Sequence, residues 1–76
     1  MNHKIPQAVL LAASNEAFNE ITYIGNLDGQ EVYGFAEVDE SGFPVPLGLP
    51  TLGLWDGKRV EIVSGEEGLQ LLGRFE

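Results

Sequence analysis

Carboxylates are the commonest reactive groups in this sequence. Asp39 adjoins Glu40, Glu66 adjoins Glu67, and Glu31 and Glu37 lie on one alternating segment. Paired carboxyls can share general acid–base work when burial pushes one pKa upward. These acids fall in turns, at a helix start, or at polar strand positions, where carboxylates stay solvated. A serine nucleophile needs a base in reach. His3 is the sole histidine, so a Ser–His–Asp site would need the first residues folded over Ser14, Ser41 or Ser64. Cysteine is absent, which excludes thiol catalysis, disulfides and thiolate zinc sites.

Two ligand motifs begin and fail. Asp39-Glu40-Ser41-Gly42 starts like a calcium loop, but the sixth and twelfth positions hold Pro44 and Pro50 instead of glycine and glutamate. Gly48 and Gly53 have the glycine spacing of a phosphate loop, but Leu54-Trp55 replace the required Lys and Ser/Thr. No catalytic residue, metal or cofactor is expected. Lys58-Arg59 is the one basic cluster. It could pair across a hairpin with acids on a neighbouring strand, or contact a small anion.

The residues from 41 to 55 carry no charge at all. Phe43, Val45, Leu47, Leu49, Leu52, Leu54 and Trp55 cannot all face water without forming an unusual apolar patch. They either complete the core, or part of them forms a partner-binding or self-association edge. Phe43, Val45, Leu47 and Leu49 are the candidate contact residues, with Trp55 as the anchor.

These groups must be held by a small set of elements. Pro6 suits a first helical turn, and Ala8 to Ala13 are strong helix formers. Ile5, Val9, Ala13 and Ala17 share a face, so a helix is expected over 6–18 with a break near Ser14. A strand over 20–27 meets Asp28-Gly29, a hairpin turn signal, and returns over 30–39. On that return Tyr33 and Phe35 face one way. Val32, Gly34, Ala36 and Val38 face the other, where small residues would let a helix approach. Glu40-Ser41-Gly42 gives a turn, and Pro44, Pro46 and Pro50 forbid a central strand behind it. A strand from Thr51 leads to Asp56-Gly57, a second hairpin signal, and returns over 58–63. Residues 25–32 match 53–60 at every Gly, Asp and Val, as expected if both hairpins share one turn chemistry. Ser64-Gly-Glu-Glu67 has capping-box spacing ahead of Leu69, Leu71 and Leu72, with Gly73 at the helix C-cap. A strand over 69–75 is the rival.

The 76 residues therefore make one domain, with residues 1–5 frayed. The expected fold is α+β: an N-terminal helix, a four-stranded antiparallel meander and a short C-terminal helix. A small SH3-like barrel is the alternative. Net charge is −8, which opposes direct nucleic-acid binding and anionic membrane surfaces. No apolar run reaches the roughly 20 residues of a membrane span. The run over 8–13 is too short for a signal sequence and Pro6 interrupts its approach, so a cytoplasmic protein is expected. The expected function is a non-enzymatic domain binding another protein, or itself as a homo-oligomer. One alternative is an acidic decoy occupying the basic site of a nucleic-acid-binding protein. Another is a carboxylate-based or metal-dependent enzyme assembled only in an oligomer.

Overall fold

A computed structural model describes residues 4–43, 45 and 50–75. The elements in chain order are α1 (Gln7–Asn15), β1 (Glu20–Leu27), β2 (Gln30–Ala36), β3 (Thr51–Trp55), β4 (Val60–Ser64) and α2 (Gly65–Gly73). The strands form one antiparallel sheet in the order β1-β2-β3-β4. The fold is the expected α+β meander, and the sheet stays open rather than closing into a barrel. Residues 69–75 hold the end of α2 and a turn, not a fifth strand.

Alternation along β2 gives each helix its own face of the sheet. Tyr33 and Phe35 meet Val9 and Ala13 of α1, with Ile5, Phe18, Trp55 and Val60 packed around them. Ile5, which sequence reading leaves frayed, is thus docked on this cluster. Val32, Leu52 and Leu54 point the other way and meet Leu71, Leu72 and Phe75 around α2. A helix, α2, does cover the small-residue face of β2, but α1 covers the Tyr33/Phe35 face as well. Its Gly34 gap, however, is filled by Ile24, whose Cδ1 would lie 3.2 Å from a Cβ there. Ile24 sits where β1 slips register between Tyr23 and Gly25. The close helix approach occurs at Gly68 instead, where a Cβ would fall 2.7 Å from the Pro50 carbonyl oxygen.

α1 stops three residues earlier than its apolar spacing predicts. Ala17 adopts φ 65°, its N–H donates to the Ser14 carbonyl, and the Phe18 N–H donates to the Ala13 carbonyl. This is a Schellman stop, with alanine where glycine is usual. It is set by Phe18, whose ring packs 5.9 Å from that of Phe35. Ala17→Gly should therefore raise stability by about 0.5–1 kcal/mol, since the left-handed conformation penalises a Cβ. Urea denaturation checks the sign.

The two Asp-Gly sites make different turns. Asp28 and Gly29 are the left-handed central pair of β1–β2, with φ 53° and 82°. In β3–β4, Trp55 pairs with Val60, which places Gly57-Lys58 at the centre. Gly57 has φ 100°, and Asp56 acts through its side chain. Its carboxylate accepts the backbone N–H of Arg59 at 2.9 Å and of Lys58 at 2.8 Å, and these bonds lower its pKa. The expected shared turn chemistry is thus corrected, and the returning strand starts at Val60 rather than Lys58. The capping box is corrected too. Ser64 makes no side-chain cap bond, because Gly65 turns the chain with φ 67° at the first helical position. Gly73 ends α2 without a left-handed φ, and the chain continues through Arg74 to place Phe75 against Gly25.

Candidate functional site

The uncharged segment leaves the sheet through a pinned root. Beyond Ala36, β2 loses its regular pairing, and Val38 remains as an isolated bridge rather than part of a strand reaching residue 39. The Asn19 side chain takes over from β1 at this point. Its Nδ2 donates to the Val38 carbonyl at 2.9 Å, and the Val38 N–H donates to its Oδ1 at 2.8 Å. On the opposite side the Val45 N–H donates to the Glu37 carbonyl at 2.8 Å. A short hairpin therefore stands between β2 and β3.

The tip of that hairpin is closed by the Asp39 side chain and backbone. The Asp39 carboxylate accepts the Ser41 N–H at 2.9 Å and the Phe43 N–H at 3.0 Å. The Asp39 N–H donates to the Phe43 carbonyl at 2.8 Å, and Gly42 supplies the left-handed step at φ 85°. Phe43 emerges from this turn 67% exposed. Val45 is half-buried. Leu47 and Leu49, with Pro44 and Pro46, lie outside the described residues.

The rest of the charge-free stretch goes inward. Leu52 and Leu54 are buried beneath α2. Trp55 is half-buried against the α1-side cluster, so the expected anchor packs at the margin of the core, away from Phe43's exposed tip. Similar composition thus splits into a buried strand and an exposed turn, because only 51–55 has strands on both sides.

The chemical groups do not converge elsewhere. Ser14, Ser41 and Ser64 are exposed, and His3 lies outside the described residues. Among the described residues, no three His, Asp or Glu side chains are placed to hold a metal ion. Tyr33 is fully buried, and its hydroxyl donates to Glu31 Oε1. Burial first, and that hydrogen bond second, push its pKa far above the usual tyrosine value, so it stays neutral. Its ring lies 5.4 Å from that of Tyr23, whose hydroxyl accepts from Asn26 Nδ2 at 2.9 Å. An open groove of about 290 Å³ runs between β4 and α2 over Leu54, Val63 and Leu71, edged by Glu61, Glu67 and Arg74. That volume sits at the low end for ligand pockets.

Sequence reasoning missed a second surface. β1 and β4 both border the sheet. Leu10, Leu11 and Ile62 are exposed on the α1 side, and Leu69 on α2. No helix among the described residues is long and apolar enough to cross a membrane. Fold and site together define a meander sheet between two helices, with a turn between β2 and β3 that exposes Phe43. No protein-family model, curated protein or solved structure matches this chain.

Proposed function

We propose that this chain is a non-enzymatic interaction domain whose 39–45 hairpin presents Phe43 to a partner protein. The observation that carries the proposal is the large exposed aromatic ring on a turn closed by the Asp39 carboxylate. A turn whose backbone is already hydrogen-bonded loses little backbone entropy when its aromatic residue is bound, which favours an interface anchor. The residues that follow Phe43 in sequence, as far as Trp55, carry no charge. Charges are depleted at interface centres and enriched at rims, and Asp39 and Glu40 stand just before the ring as such a rim.

Phe43→Asp tests this directly. Surface substitutions usually stay within about 0.5 kcal/mol, so the melting temperature should move by no more than about 4 °C. A photo-crosslinking side chain at Ser41 should yield a discrete protein adduct in cells, and Phe43→Asp should abolish it. No discrete adduct, or one indifferent to Phe43→Asp, overturns the proposal.

A further inference from the structure

We propose that two copies of this chain join edge to edge through β4, antiparallel about Ile62, so that their sheets become one. This surface is separate from the Phe43 hairpin and does not depend on it.

The two edges of the sheet differ. β1 is interrupted where its register slips between Tyr23 and Gly25, a device that blunts an edge. β4 pairs with β3 at five consecutive positions without a break and has no partner on its other side among the described residues. The Asp56–Arg59 backbone bond fixes the phase of that ladder. Hydrogen-bonded pairs alternate, so Glu61 and Val63 bond to β3. Val60, Ile62 and Ser64 direct their backbone groups outward.

That pattern complements itself in one register. With the two-fold axis at Ile62, each Ile62 exchanges both backbone bonds with its copy. Each Ser64 N–H meets the Val60 carbonyl of the second copy, while the Ser64 carbonyl serves the first turn of α2. Glu61 then faces Val63 of the second copy. Moving the axis to Glu61 would set two carboxylates opposite each other, which is unfavourable. The Ile62 side chains, 36% exposed, become neighbours on the face where α1 touches β4.

Charge points to the same partner. Lys58-Arg59 immediately precedes β4, and Glu66-Glu67 follows it after Gly65, in the first turn of α2. All four side chains are exposed, and none has an ion-pair contact among the described residues. Antiparallel pairing about Ile62 lays the basic end of each strand beside the acidic end of the other, twice over. A second copy thus satisfies the edge and its charges together, against the general repulsion of two chains at −8.

A seam of this length is at the low end of interface sizes, so the dimer should dissociate at roughly micromolar concentration. Sedimentation equilibrium at physiological ionic strength measures it. Lys58→Glu with Arg59→Glu should weaken the dimer about tenfold or more. Adding Glu66→Lys and Glu67→Lys restores the original net charge and should recover most of the affinity. Ile62→Pro removes an outward N–H that β3 does not use, and should leave a folded monomer. Phe43→Asp should leave the dimer intact. The proposal is overturned by a wild type still monomeric at about 1 mM. It is equally overturned by charge reversal without effect, by no recovery in the fourfold variant, or by a folded Ile62→Pro chain that still dimerises. If Ile62→Pro fails to fold, the charge variants decide alone.

Discussion

Gly53→Ala is expected to destabilise the domain by about 1–3 kcal/mol, although alanine ordinarily suits a strand better than glycine. A Cβ at Gly53 would sit 2.5 Å from Phe35 Cζ and 3.1–3.2 Å from the two Cε atoms of the ring. The Cζ end of the ring lies over Gly53 of β3, with Phe18 against the ring and α1 residues Val9 and Ala13 in the same cluster. It has no room to retreat. A 76-residue domain carries only roughly 4–11 kcal/mol in total, so this one methyl group removes a large share. Phe35→Ala should cost more, about 3–5 kcal/mol, because it opens a cavity under α1. The double variant is the sharper measurement. With the ring gone, Gly53→Ala should be neutral or stabilising, and the pair should depart from additivity by more than about 1 kcal/mol. Additive losses would mean that the ring does not occupy the space above Gly53.

Gly68→Ala should also destabilise, and the sign is the informative part. In a free helix this change gains about 1 kcal/mol. Here the new methyl meets the Pro50 carbonyl oxygen at 2.7 Å and the Val63 carbonyl oxygen at 3.4 Å. Both are backbone atoms, Val63 within β4 and Pro50 next to the first residue of β3, so α2 itself must lift and loosen Leu71, Leu72 and Phe75. A net loss of about 1–3 kcal/mol follows, as for other overpacked sites. Gly73→Ala is the control in the same helix. Nothing lies within 4 Å of a Cβ there, and stability should rise by as much as about 1 kcal/mol. Equal gains at both positions would show that α2 does not sit tight on the sheet.

These glycines mark where sequence reading stops. Gly68 carries a propensity cost in any helix, and nothing nearby in the chain explains why it is tolerated. The explanation lies 18 residues away, at Pro50. Gly53 looks like the counterpart of Gly25 in a repeated octapeptide, yet one lies under Phe35 and the other beside Phe75. The second Asp-Gly differs from the first for a local reason with a long-range outcome. The Asp56 side chain takes over the turn, and the return strand shifts two residues. Ser64 and Glu67 have capping spacing, but spacing does not reveal that Gly65 turns left-handed between them.

The candidate surface was half legible. A run without charge at 41–55 is visible in the letters alone, and Phe43 emerges from it exposed. That Leu52, Leu54 and Trp55 turn inward depends on β3 being enclosed by β2 and β4. The β4 edge was illegible, since alternation assigns a strand's faces and says nothing of its place in a sheet. Lys58-Arg59 and Glu66-Glu67 are visible in the sequence as charge pairs. Their meaning as two ends of one border strand needed the strand order.

Alternation, turn residues and helix formers act over a few positions, which is why the six elements, their order and their antiparallel hairpins were readable from the chain. Which helix covers which face, where backbone approaches backbone, and which apolar residues stay in water all turn on contacts between distant segments. Those contacts exist only once the sheet has formed, and the folded structure alone decides them.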